Sequence, residues 1–133
     1  MKELIYVGAG GFIGTMARYE AQQWLQPDSS VFPAAVLIIN LAGCLFLGWF
    51  FTVTPAKWRI PAEWRLLIGT GFTGAFTTFS TFSVDSIHLL QDKEIGLAVL
   101  YILSSVIAGL FMSYIGIKIG DLMVSRRLSK GYK

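Results

Sequence analysis

The segment GFTGAFTTFSTFS, Gly71 to Ser83, crowds hydroxyl side chains, two glycines and four phenylalanines together without one charge. Apolar sequence flanks it on both sides. Read as helix, Thr73, Thr77 and Thr81 share one face, while Phe79 and Phe82 lie three apart on another. Gly71 and Gly74 weaken a helix just ahead of the hydroxyl run. A break there would free backbone carbonyls at membrane depth, which is tolerable only where they are buried or bind something. Freed carbonyls suit a hard monovalent cation. Hydroxyl hydrogens and the electropositive edges of phenyl rings suit a small anion. The plainer alternative is packing by the phenylalanines and local back-bonding by the threonines.

Other residues could extend the same chemistry. Asn40 lies well inside the apolar run IINLAGCLFLG, where its amide must find partners. It either joins helices or offers its NH2 to an anion along a polar path. Tyr101, Ser105, Gly109 and Ser113 follow at four-residue steps, so three hydroxyls fall on one helical face. Those serines could equally bond carbonyls of their own helix. Gly10, Gly14 and Arg18 also step by four, a pattern that permits close approach of a neighbouring helix and projects Arg18 from the same face. GAGGFIG superficially matches a dinucleotide-binding turn, but no βαβ unit follows it. The lone Cys44 reads as a small apolar residue and His88 as an interfacial one. Neither has the partners that nucleophilic catalysis or metal binding needs, so an enzyme is disfavoured.

The elements that would carry these residues are membrane spans. Only 14% of the 133 residues are charged, where a soluble domain carries about a quarter. Mean hydropathy is +0.61. Apolar runs predict four spans near residues 4–25, 32–53, 64–90 and 95–124, in a single domain covering 1–133. QPDSS, TPAKWRIP and QDKE separate them. Trp24, Trp58 and Trp64 fall near the predicted interfaces. No charge clearly occupies the centre of a span: Arg18 and Glu20 lie toward the end of the first, Lys118 and Asp121 toward the end of the fourth. That argues against a proton-coupled or cation-exporting carrier.

The net charge of +3 comes largely from residues outside the apolar runs. It offers no docking face for nucleic acid and reads as contact with membrane lipid. Lys2, Lys57, Arg59, Arg65, Arg126, Arg127, Lys130 and Lys133 fall on one side, with Lys93 opposite, which predicts both termini in the cytoplasm.

With GGFIGTMAR in the first span, INLAGCLFLG in the second and GFTGAFTTFSTFS in the third, almost the whole chain resembles the fluoride-channel family called Fluc or CrcB. The resemblance implies an all-α membrane protein of four transmembrane helices with a break in the third, assembled as an antiparallel, dual-topology homodimer. It implies two fluoride pathways, with Phe79 and Phe82 presenting ring edges and Asn40 in the second span. Ser80 and Thr81 would add hydroxyls, Tyr101 and Ser105 the fourth-helix track, and Arg18 the pore entrance. A structural sodium ion would be held by the Gly74 and Thr77 carbonyls.

The expected function is passive export of fluoride across the plasma (inner) membrane of a microbe by a multi-pass channel. Neutral donors would replace the water of a strongly hydrated ion without trapping it. A small four-helix drug or cation transporter and a noncatalytic membrane subunit are the alternatives.

Overall fold

Backbone contact, more than side-chain interlocking, brings the first and third spans together. The computed structural model describes residues 1–25 and 30–130, and the described chain is helical apart from short connections. Helix α1 spans Lys2–Leu25, and the residues it buries are Gly10 and Gly14. A Cβ on Gly10 would collide with the Leu67 carbonyl, and one on Gly14 with the Phe72 carbonyl. Gly71 answers from the other side, where a Cβ would lie 2.6 Å from the Val7 carbonyl oxygen. Glycine is required here because the two backbones touch.

Helix α2 spans Ala34–Val53 behind Pro33, which stands at the N-cap. It runs on into a π-helical turn, Thr54–Trp58, closed by Arg59 in the left-handed region at φ 48°. Helix α2 packs along the last helix by the same device as α1: Gly48 sits on the Ser113 carbonyl and Gly116 on the Leu45 carbonyl.

The third span is not one helix. Helix α3 (Ala62–Arg65) opens into a π-helical segment, Leu66–Thr73, followed by the short α4 (Gly74–Phe76). Thr77 (φ −75°, ψ 154°) and Thr78 (φ −145°, ψ 123°) are extended, and α5 begins at Phe79 and ends at Gln91. The expectation that Thr73, Thr77 and Thr81 share a helical face holds for Thr73 and Thr77 and is corrected for Thr81. Thr73 and Thr77 stay one helical turn apart, with the Thr77 N–H on the Thr73 carbonyl at 2.9 Å and both methyl groups toward Gly43. The two extended residues, Thr77 and Thr78, break the angular register before Thr81.

Helix α6 spans Ile95–Lys130, longer than the 95–124 read from hydropathy, because backbone hydrogen bonding does not stop where the apolar run does. Among the described residues, two helical stretches are long and apolar enough to cross a membrane, Ala34–Trp58 and Ile95–Ser125. The first span is diluted by its glycines, Arg18 and Glu20, and the third is interrupted. Within the described residues a small core forms around Tyr101, Leu89 and Ala98, with Phe32, Leu37 and Phe82 packed against it. Most of QPDSS, and the side chains of Arg126, Arg127, Lys130 and Lys133 in the charge count, lie outside the described residues.

Candidate functional site

The two extended residues create a problem that Asn40 solves. A stretch of backbone that leaves helical geometry exposes an N–H and a C=O that apolar surroundings cannot satisfy. The Asn40 side-chain carbonyl accepts from the Thr78 N–H at 2.8 Å, and its Nδ2 donates to the Thr78 carbonyl at 3.1 Å. One amide thus replaces both helix bonds of Thr78. Gly43, one turn further along α2, leaves room for the Thr77 methyl group.

Thr78 is the residue the sequence reading missed. It is the N-cap of α5, its hydroxyl accepting from the Thr81 N–H at 3.2 Å. The same oxygen lies 3.0 Å from the Thr81 hydroxyl and 3.2 Å from that of Ser80. The signal was present in the sequence, since a threonine directly before a fresh apolar helical run is a capping signature. Reading the segment as one helix hid it.

Below this break lies a cavity of about 320 Å³ lined by Asn40, Cys44, Thr77, Thr78, Phe79, Phe82 and Ser105, with Leu47 and Val106. The structure thus brings together Asn40, Thr77, Phe79, Phe82 and Ser105, and no charged side chain joins them. The Phe79 and Phe82 rings are 5.7 Å apart between centroids. Phe82 rests on Tyr101 at 5.2 Å, whereas the Phe79 ring is 80% exposed. Ser105 donates its hydroxyl to the Tyr101 carbonyl at 2.7 Å, so the local back-bonding alternative describes its resting state. Cys44, read as a plain apolar residue, borders the cavity as well.

The remaining expected site residues are distributed around the break. Arg18 donates from Nε to the Ala75 carbonyl at 3.1 Å, compensating the C-terminal end of α4 away from the cavity. Ser80 is exposed and bonded to Thr78. Gly74 faces open space, and a Cβ there would meet no atom within 4 Å. Among the described residues, no hydrogen bond from outside the helices reaches the Gly74 or Thr77 carbonyl.

Thr81 lines a second cavity, of about 220 Å³, with Gln22, Pro33, Ala35, Val36 and Asp85. Asp85 adds a carboxylate toward the end of the third span, alongside the off-centre charges of the first and fourth. It sits half-buried on α5, two turns beyond the break. Its Oδ2 and the hydroxyl of the fully buried Tyr101 are both enclosed and face one another, without reaching good hydrogen-bond geometry. Asp85 follows Phe82 by three positions, close to one turn of helix, so charge and neutral donors share the α5 scaffold.

Comparison with known proteins bears on this arrangement. Residues 5–117 match the model of the family described as CrcB-like protein, Camphor Resistance (CrcB). A protein of Bacillus cereus (strain ATCC 10987 / NRS 248) named fluoride-specific ion channel FluC 1 is 42% identical, covering 98% of both chains. A Listeria innocua protein named fluoride-specific ion channel FluC 2 is 45% identical over 92% of this chain and 93% of its own. An Oceanobacillus iheyensis protein named fluoride-specific ion channel FluC is 40% identical over 90% and 92%.

Proposed function

The chain belongs to the CrcB family, and on that premise we propose that it is a fluoride-selective channel exporting fluoride passively across a microbial plasma membrane. Relief of fluoride toxicity is the use such a pore would serve. The observation that carries the reading is the cavity at the helix break, where an amide, hydroxyls and two phenyl rings converge without a charge.

Fluoride gives up a strong hydration shell to enter, so the lining must return several hydrogen bonds. Asn40 spends one amide N–H on Thr78 and keeps the other. The ring edges of Phe79 and Phe82 supply electropositive C–H groups. Ser105 contributes only by turning its hydroxyl away from the Tyr101 carbonyl, a modest exchange of one neutral hydrogen bond for another. Each contact is weak, and the absence of a fixed cation among the lining side chains permits release as well as binding.

A second copy of the chain, inserted antiparallel, fits this reading. Phe79 is 80% exposed although it lines the cavity, and Gly74 opens onto free space beside the break. A partner helix covering that face would enclose both and make the channel a multi-pass homodimer with two pathways. The Gly74 and Thr77 carbonyls are hard neutral donors with no outside hydrogen bond, so they suit a sodium ion. One chain offers two of them, and a symmetric pair would offer four. Bound there, sodium would supply a fixed charge that holds the two breaks together.

Purified protein in liposomes tests the central reading. Rapid fluoride efflux with chloride efflux far slower is the expected result, and equal rates would reject selectivity. Orientation is tested separately, in a background lacking Cys44 with one new cysteine near the C-terminus. Labelling from both sides of intact membranes is expected, and labelling from the cytoplasmic side alone would reject the antiparallel pair.

A further inference from the structure

The corner joining α2 to α3 carries the sequence KWRIPAEWR, residues 57–65, with three cations against one carboxylate. It begins where the apolar stretch Ala34–Trp58 ends, at the depth of lipid headgroups for a membrane-spanning helix. The connector between α5 and α6 has the opposite balance, Asp92 and Glu94 against Lys93. The corner is also rigidly built. Arg59 closes the π turn by donating its backbone N–H to the Thr54 carbonyl. Trp58 packs edge-on against Trp49 at 5.3 Å, and Trp64 against Tyr6 at 6.1 Å. Both indoles nevertheless remain about half exposed, at 46% and 50%.

Arg65 adds a specific demand. Its Nε is enclosed yet has no hydrogen-bond partner, although a guanidinium stays charged at any physiological pH. No side-chain hydrogen bond or ion pair to Arg59 or Arg65 forms among the described residues. Sealed as it is, Nε is out of reach of an outside oxygen, but Arg65 as a residue is only partly buried. A guanidinium at headgroup depth without an ion-pair partner calls for an anionic oxygen at its exposed side. We propose that this corner binds the phosphate of an anionic phospholipid headgroup, with Arg59 and Arg65 as its donors and Trp58 and Trp64 as flanking interfacial anchors. Zwitterionic lipids carry the same phosphate, but their ammonium group would meet the local positive charge, which selects for a net negative headgroup. The proposal does not depend on which ion the protein conducts.

Native mass spectrometry of the purified protein, offered phosphatidylglycerol and phosphatidylcholine in equal amounts, tests it. The wild type should retain phosphatidylglycerol preferentially. Arg59→Gln and Arg65→Gln should each lower that preference about fivefold, the effect of one basic residue near an anionic lipid surface. A control pair, Lys2→Gln with Lys93→Gln, should leave it unchanged. If either glutamine variant fails to fold, Arg65→Lys keeps the charge but loses the planar fork, and an intermediate preference is expected. Equal retention of the two lipids by the wild type would overturn the site. So would equal losses in corner and control variants, which indicate diffuse charge. Displacement of phosphatidylglycerol by millimolar inorganic phosphate would overturn the lipid assignment, identifying a free-anion site instead.

Discussion

The two cavities along α5 differ in what surrounds an ion. The larger, at the start of the helix, holds Asn40, Phe79, Phe82 and Ser105 and is uncharged. The smaller, two turns on, holds Thr81, Gln22 and the carboxylate of Asp85. The first offers donors to an anion, and the second repels one while Asp85 is ionised. Tyr101 joins them, lying beneath Phe82 with its hydroxyl toward Asp85. One helix can therefore carry opposite electrostatics, provided that the anion-facing end gets its polarity from dipoles instead of charges.

The sharpest way to break the contrast is to make the neutral cavity resemble the charged one. Asn40→Asp should lower fluoride flux more than about 100-fold, because unit charges about 4 Å apart repel by roughly 4 kcal/mol at an effective dielectric of 20. It also removes the donor to the Thr78 carbonyl, so Asn40→Ser separates the effects: it should reduce flux less. Liposome efflux measures both, and wild-type flux in the aspartate variant would exclude a donor role.

The rings come next. Phe79→Ile and Phe82→Ile each keep apolar bulk but lose the positive ring edge, and each should slow flux by about tenfold, as ring-edge contacts are worth ~0.5–1.5 kcal/mol. Unchanged flux with intact assembly would leave packing as their only role.

Ser105→Ala should cost less than about fivefold, since its hydroxyl starts out bonded to its own helix and a neutral hydrogen bond is worth ~1 kcal/mol net. Asp85→Asn sharpens the comparison from the other side. It should change fluoride flux by less than about threefold, because its carboxylate lies outside the uncharged cavity and removing it deletes no donor there. A loss as large as that of Asn40→Asp would mean that fluoride traverses both cavities in series.

Much of this was legible before folding. Apolar runs and scarce charge dictate helices at membrane depth, since helices satisfy their own backbone there. The spacing of Gly10 and Gly14 foretold the close approach of α1, because a four-residue step always lines one face of a helix. Gly71 and Gly74 marked weak helix near the place where Thr77 and Thr78 become extended.

Tertiary contacts decided the rest. Whether Asn40 met solvent, ion or backbone depended on which segment lay opposite α2, and pairing information of that kind is not local. Thr78 acquired its capping role only because Asn40 replaced its helix bonds, and Arg18 turned to Ala75 only because α4 ended beside α1. Asp85 looked unremarkable near the end of a long apolar run. Its meaning came from the buried Tyr101 hydroxyl of another helix, since in a low-dielectric interior a charge is defined by what lies within a few ångströms.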